Sequence, residues 1–210
     1  EYVTKLASKP HPKIPLPANI YGDRKNSSGI EFASTNVSTA FLKKIESFAS
    51  LRYTAAPLIN GVAKTGTPEK VLNPADYRQE IGTVTTASKE DMLAALNVTH
   101  AAFISWNNTP ADTRAACLER MADLMEENNA ELMSLLAREA GKTLPDAVSE
   151  IREAVDFCRY YAASILERLR FCRGRQVRPI LLRCKAAAFF FVSVHGTSRW
   201  RFSWGKFRQR

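Results

Sequence analysis

The chain has 210 residues, 45% of them hydrophobic and 24% charged, with a formal net charge of +9. That length can hold one sizeable core. No apolar run approaches the roughly 20 residues of a membrane-spanning helix, and the polar, basic start has no signal-peptide core, so a cytoplasmic protein without a membrane span is expected. The charge is uneven: twelve Lys/Arg stand against one acid from Ser164 to Arg210, and eighteen against twenty acids in residues 1–163.

In chain order, residues 1–36 read as a connector. His11-Pro12-Lys13-Ile14-Pro15-Leu16-Pro17 is proline-rich and extended, and Tyr21 to Gly29 has turn composition. Residues 38–49 read as a helix with Phe41, Leu42, Ile45 and Phe48 inward. Residues 57–62 and 80–84 then read as short strands around a polar turn containing Gly66 and Pro68, with Val71 to Asp76 between them. Ser88 and Asp91 form a capping box for a helix through about His100. Met92, Leu96 and Phe103 are its expected inner face, and Trp106 closes the corner.

Three helices follow. Thr109, Pro110 and Asp112 carry the start signals of the first, whose apolar face is Ala111, Ala115, Leu118, Ala122 and Met125. Asn128 and Asn129 interrupt the pattern, and Leu132, Leu135, Leu136 and Ala140 resume it until Gly141 stops the second helix. Thr143, Pro145 and Asp146 start the third. Its face is Ala147, Ile151, Ala154, Val155, Cys158 and Ala162. The expected fold is mainly α with a small β element.

Four segments together carry a resemblance. They are Asn73-Pro74-Ala75-Asp76, Ile81-Gly82-Thr83-Val84, the capped helix ending at Trp106, and Thr109-Pro110 with Arg114. Leu118 to Leu124 and Arg138-Glu139-Ala140-Gly141-Lys142-Thr143 fit the same order. The chain resembles the start of an aldehyde dehydrogenase, an α/β fold of which this would be an incomplete N-terminal piece. With Glu150-Ile151-Arg152-Glu153-Ala154-Val155-Asp156-Phe157 it resembles the glutamate-semialdehyde dehydrogenase module of the proline utilization A family. In that family an FAD-dependent proline dehydrogenase module precedes this one, and the stretch through Arg24-Lys25-Asn26-Ser27-Ser28-Gly29 resembles the segment joining them. The resemblance covers residues 1 to about 163. It divides the chain into a connector (1–36), the N-terminal part of a dehydrogenase domain (37–163) and a tail (164–210).

The tail has neither helical nor strand period and is expected to be disordered. Its codons offer an explanation. Val192 to Trp200, written GTA TCA GTC CAT GGA ACT TCC CGT TGG, reads from the third base as Ile-Ser-Pro-Trp-Asn-Phe-Pro-Leu, the active-site loop of the resembling family. Arg201 to Arg210 continues in that frame as Ala-Ile-Phe-Leu-Gly-Gln-Val-Ser-Ala. A reading-frame shift near Ser164 is therefore expected.

The resemblance implies NAD-dependent oxidation of glutamate semialdehyde to glutamate. A cysteine thiolate attacks the aldehyde, hydride passes to NAD, and water resolves the thioester. The nucleophile, the base and the Asn oxyanion donor all lie downstream in the family. No catalytic or cofactor-binding residue is therefore assigned here. The 210 residues alone are expected to bind neither NAD nor FAD and to be inactive. Glu153 is the one position the resemblance brings near the aldehyde. Ordinary charge patterning instead makes Glu150 and Glu153 a solvated helix face pairing with Arg152 or Arg159.

The remaining motifs carry structural expectations. Gly141-Lys142-Thr143 follows a helix and lacks the leading glycine of a phosphate loop, so it reads as a helix stop. Cys117 and Cys158 are expected as buried free thiols. Cys172 and Cys184 show no metal spacing, and His11, His100 and His195 are scattered, so no metal site is assigned. The alternative function is a helical interaction module whose Arg-, Phe- and Trp-rich tail binds nucleic acid. The frame argument accounts for that tail without a nucleic-acid partner. Self-association is expected through helix faces left uncovered, the stripe from Ala147 to Cys158 above all.

Overall fold

In this computed structural model the backbone of residues 11–174 and the side chains of residues 11–165 are described. The expectations for Cys172, Cys184, His195 and the basic arm concern side chains outside that range, whereas the disorder expected from residue 164 does not hold for residues 164–174, which are helical. After one turn of 3-10 helix at Pro17–Asn19, the elements are α1 (Thr35–Ser47), β1 (Tyr53–Ala55), β2 (Leu58–Ile59), β3 (Val62–Ala63), β4 (Pro68–Asn73), β5 (Asp76–Thr85), α2 (Lys89–Asn108), α3 (Ala111–Glu127), α4 (Asn129–Ala140) and α5 (Leu144–Gly174). The chain is mainly α with a small β element, as its periodicity implies.

The β element is richer than two strands around a turn. β5 lies between β1, which is parallel to it, and β4, which is antiparallel. Val71 to Asn73, read from sequence as a connection, pair with β5. The turn falls instead at Pro74-Ala75, where the Ala75 N–H donates to Asn73 Oδ1 at 2.9 Å. Pro68 opens β4 on the sheet edge, a position where its missing N–H costs no ladder bond. Residues 57–62 are not one strand. Asn60 and Gly61 take φ of 52° and 76° and fold β2 onto β3, the Asn-Gly hairpin turn whose backbone matches strand twist.

The helices begin and end on local signals. The Ser88–Asp91 capping box is formed, with the Asp91 N–H donating to Ser88 Oγ at 3.0 Å. α2 runs on to Asn108, beyond the expected His100, because no breaker intervenes. Thr109 closes this helix, its N–H bonding the Ser105 and Trp106 carbonyls, and the N-cap of α3 is Pro110 rather than Thr109. Gly141 ends α4 with φ of 63°. The Thr143 hydroxyl donates to Asp146 Oδ2 at 2.7 Å at the start of α5. α5 continues past Ala163 to Gly174, the first glycine after the helix begins.

The core is centred on α3 against α5. Ala115 and Ala122 of α3 meet Ala147, Val155 and Ala162 of α5, all buried, and these small residues let the two axes approach closely. On the α5 stripe Ala147 and Val155 are buried and Ile151, Ala154 and Cys158 half-buried, so it is partly covered rather than bare. α4 buries Ala130, Met133, Ser134 and Arg138, whereas Leu132, Leu135 and Leu136 are half-buried and Ala140 exposed. The leucine row flanks this helix's contact and does not fill it. On α1, Phe41, Ile45 and Phe48 are half-buried and Leu42 is exposed. The largest departure is α2. Met92, Leu96, Phe103 and Trp106 face solvent, and Ala94, Ala95 and Val98 form the half-buried side toward the β2–β3 hairpin.

Gly82 sits where β1 and β5 pair, opposite Tyr53. A Cβ there would run into the Tyr53 carbonyl oxygen and come within 2.8 Å of its carbonyl carbon, both backbone atoms that cannot swing aside. Gly82→Ala is expected to destabilise the protein by about 1–3 kcal/mol, the usual range for overpacking. Urea unfolding of the two proteins measures this; an unchanged midpoint would contradict the β1–β5 register.

Candidate functional site

The site is built on the outer half of the α3–α5 pair. Glu119, Asp123 and Glu126 recur at helical spacing on α3 and face one cation, Arg159 of α5. The Arg159 side chain is 1% exposed. Its Nη2 donates to Glu126 Oε2 at 2.7 Å and to Asp123 Oδ1 at 3.0 Å, and its Nε lies 3.9 Å from Glu119 Oε2. Its Nη1 is buried without a partner. A guanidinium cannot shed its proton at ordinary pH, so the acids must come to it.

The same acids hold the connector. Desolvation pushes the Glu126 carboxyl up, but the Arg159 hydrogen bond, the Ser28 N–H and the charges of Arg159 and Lys25 outweigh it and hold the pKa at about 2. Ser28 N–H donates to Glu126 Oε1 at 2.9 Å, and Lys25 Nζ lies 3.6 Å from Oε2. One turn further along α5 from Arg152, Asp156 accepts from Ser27 N–H at 2.8 Å and from the Ser27 hydroxyl at 2.7 Å. Arg152 Nε donates to the same hydroxyl oxygen at 3.2 Å. Asn26 and Ser27 are buried by this docking, and Asn26 ties back to the Pro17 and Ala18 carbonyls.

Beside the docked segment opens a shallow cleft of about 360 Å³, lined by Arg24, Glu153, Asp156, Phe157 and Tyr160. The Arg24 guanidinium lies 3.9 Å from the centre of the Tyr21 ring and 5.3 Å from that of Tyr160. Glu153 is exposed on the rim. The expected pairing of Glu150 and Glu153 with Arg152 or Arg159 does not occur. Glu150 takes Lys142, and the two arginines turn to Ser27 and to the α3 acids. The cleft therefore offers one free carboxylate, a guanidinium and aromatic faces. These can recognise a small polar molecule but include no thiol.

The other singled-out residues lie apart. Cys117 is exposed rather than buried, because it falls on the solvent side of α3. Cys158 is half-buried; burial first, and then the Glu119 charge, push its thiol up and keep it protonated. His11 Nδ1 accepts from Lys13 N–H, and His100 is exposed. Among the described residues no group of three His, Cys, Asp or Glu could hold a metal ion, and no helix is long and apolar enough to cross a membrane. Sequence pairs Arg159 with Glu150 or Glu153 and gives no site role to Asp156 or Ser27. Only the i, i+4, i+7 spacing of Glu119, Asp123 and Glu126 hints at a buried cation opposite.

A dinucleotide does not fit the described residues. The only strand that leads directly into a long helix is β5, and its connection, Thr86-Ala87-Ser88, has no glycine to let backbone approach a pyrophosphate. The helix N-terminus beyond it is already occupied by the Asp91 carboxylate. The parallel pairing is three residues long.

Comparison with known proteins places these features. A family model described as the aldehyde dehydrogenase family matches residues 62–178, past the Ala163 limit of the sequence resemblance. The bifunctional protein PutA of Salmonella typhimurium is 39% identical over 189 residues, covering 86% of this chain and 14% of its own. The 1-pyrroline-5-carboxylate dehydrogenase of Bacillus mycoides is 36% identical over 128 residues, covering 60% of this chain and 24% of its own. A solved 1-pyrroline-5-carboxylate dehydrogenase from Thermus with bound NAD aligns with a TM-score of 0.65 at 26% identity, over 80% of this chain and 31% of that one. The chain thus spans about a seventh of one curated relative and a quarter of the other.

The Glu126 carboxyl gives a pH signature. Its folded pKa lies below the ordinary 4.5, at about 2, so its contribution to stability is fully present above about 4.5 and is lost as pH falls through about 2. Glu126→Gln is expected to flatten the pH dependence of stability between those limits, read from urea midpoints at successive pH values. A variant as acid-sensitive as the parent would refute the pairing. Arg159→Ala leaves three acids facing one another and is expected to cost about 3 kcal/mol at neutral pH, measured in the same way.

Proposed function

The chain belongs to the aldehyde dehydrogenase family, and from that we propose that its described residues are the N-terminal part of a 1-pyrroline-5-carboxylate dehydrogenase module of the bifunctional proline-utilization kind. The whole module's reaction would be NAD-dependent oxidation of glutamate semialdehyde to glutamate, in the cytoplasm, with FAD belonging to the proline dehydrogenase module that precedes it. One observation carries the bifunctional reading. The match to PutA leaves fewer residues uncovered than the 36 of the connector, so it includes part of the connector. The match to the single-function dehydrogenase covers only 60% of the chain.

Within this reading Glu153, on the rim of the cleft, is the residue that faces the aldehyde. Residues 1–36 are the connector between modules. The tail is an out-of-frame translation whose shift is assigned beyond Ser164, since the family match continues to residue 178. Among the described residues the cleft beside Glu153 holds no thiol to attack an aldehyde, and no glycine-bearing strand-to-helix turn offers a cradle for NAD. The exposed row of α2 is where copies would associate.

The reading has three measurable consequences. Purified chain incubated with glutamate semialdehyde and NAD is expected to yield no NADH above background and to show no saturable NAD binding by calorimetry; turnover would overturn it. Expression of the gene with the shifted frame restored is expected to produce semialdehyde-dependent NADH; an inactive product, folded by circular dichroism, would sink the assignment of substrate. The α2 row predicts binding of a hydrophobic dye, abolished by Leu96→Lys with Ile104→Lys; dye binding that survives both charges would place the apolar surface elsewhere.

A further inference from the structure

The connector segment is exposed along most of its length, yet at Asn26 and Ser27 it is buried. Three hydrogen bonds and one ion pair from positions 25, 27 and 28 reach the helix pair: Ser28 N–H to Glu126, Ser27 N–H and hydroxyl to Asp156, and Lys25 Nζ beside Glu126. Composition alone predicts a loop crossing a surface. The geometry is that of a segment seated in a receptor crevice. Backbone N–H groups meet carboxylates, the shorter bonds lie at 2.7–2.9 Å, and Ser27 is 4% exposed. Hydrogen bonds to charged acceptors are the stronger class.

We propose that residues 24–28 form a latch in the crevice between α3 and α5, and that the latch builds the cleft on which Glu153 stands. Arg24 is one wall of that cleft and is carried entirely by the latch. Asp156 is another wall, and both its oxygens are held by Ser27. Glu153 lies one helical turn before Asp156 and Phe157, three and four residues on, so its surroundings change when the segment lifts. Ser27 is the positioning residue. It receives Arg152 on its oxygen while donating its proton to Asp156, and so joins a cation and an anion of α5 that are four residues apart. The crevice fits an extended segment with a small hydroxyl residue flanked by free N–H groups. The consequence for substrate rests on the functional reading above; the latch itself does not.

The test uses the full chain in solution. Amide exchange of Ser27 and Ser28 is read by NMR together with the side-chain resonances of Arg24, which the Tyr21 and Tyr160 rings shift upfield. The parent is expected to slow exchange at both amides by about 100-fold or more over an unstructured peptide. In Ser27→Ala, which keeps the backbone N–H, Ser28 is expected to lose about tenfold of its protection, the worth of one charge-assisted hydrogen bond. Arg24 is expected to move to unstacked positions while the amides of α3 and α5 stay protected. Asp156→Asn is expected to do the same at Ser27, and Ser27→Ala carries the test if that variant does not fold. Unprotected amides in the parent, an unmoved Arg24 in Ser27→Ala, or protection lost evenly across α3 and α5 would overturn the latch. None of these outcomes bears on whether the module oxidises a semialdehyde.

Discussion

A buried guanidinium governs this structure. Arg159 has given up its water, and the cost of that burial is offset only if anions are fixed around it. Three acids of α3 lie at the spacing of one helix face, which sets both the rotation and the height of α3 against α5. Apolar contact could not do this alone, because Ala115, Ala122, Ala147 and Ala162 are nearly interchangeable and would tolerate a slip along the axis. The small residues permit close approach and the charges choose one register. Specificity of packing from a buried ion pair is here a matter of geometry, with two acceptors and a third, more distant carboxylate on one helix and one fork of donors on the other.

The connector takes its place from the same arrangement. Glu126 gives one oxygen to Arg159 and the other to the Ser28 N–H. Its ionisation therefore serves two partners, and the depressed pKa reflects both. A loop of ordinary turn composition becomes part of the domain because the acids were already gathered for another purpose. That sharing couples core to surface: what disturbs the register of α3 and α5 also moves the receptor for residues 25–28, and with it the cleft lined by Arg24 and Glu153.

Local signals were legible in the sequence and distant partners were not. The Ser88–Asp91 box, the Gly141 stop and the Thr143–Asp146 start involve groups three residues apart, so spacing alone reveals them. Thr109 was misassigned because Thr-Pro satisfies the end of one helix as well as the start of the next. β4 was missed because Pro74 and Asn73 look like turn residues throughout, and only pairing with β5 shows where the strand stops. Asn60-Gly61 carried a hairpin signal that the flanking apolar residues masked as one strand. At the site, Glu153 was named through resemblance. Arg159 reads as a surface charge, since nothing in its own neighbourhood betrays partners more than thirty residues earlier. Ser27 is still less visible, with its acceptor 129 residues away.

The two ends of the molecule consequently rest on different physics. The α3–α5 end is specified by charge and hydrogen bonds and is closed on itself. At the α2 end, the helix touches the β2–β3 hairpin through alanines and a valine and carries one ion pair, Lys64 to Asp91 at 3.8 Å. Its large apolar residues point to water: Met92 is 62% exposed and Ile104 71%. The spacing of Met92, Leu96, Phe103 and Trp106 marks a single continuous stripe, which is the pattern of a helix with a packing partner. Each such side chain forgoes roughly 1.5–3 kcal/mol of burial where it stands. Periodicity therefore finds the apolar face of α2, but the side that packs in this structure is the one with Ala94, Ala95 and Val98. The solved Thermus relative has more than three times the chain aligned here. The apolar stripe follows from the spacing of residues along one helix, whereas burial depends on which elements stand opposite it, and only the first of these can be read locally.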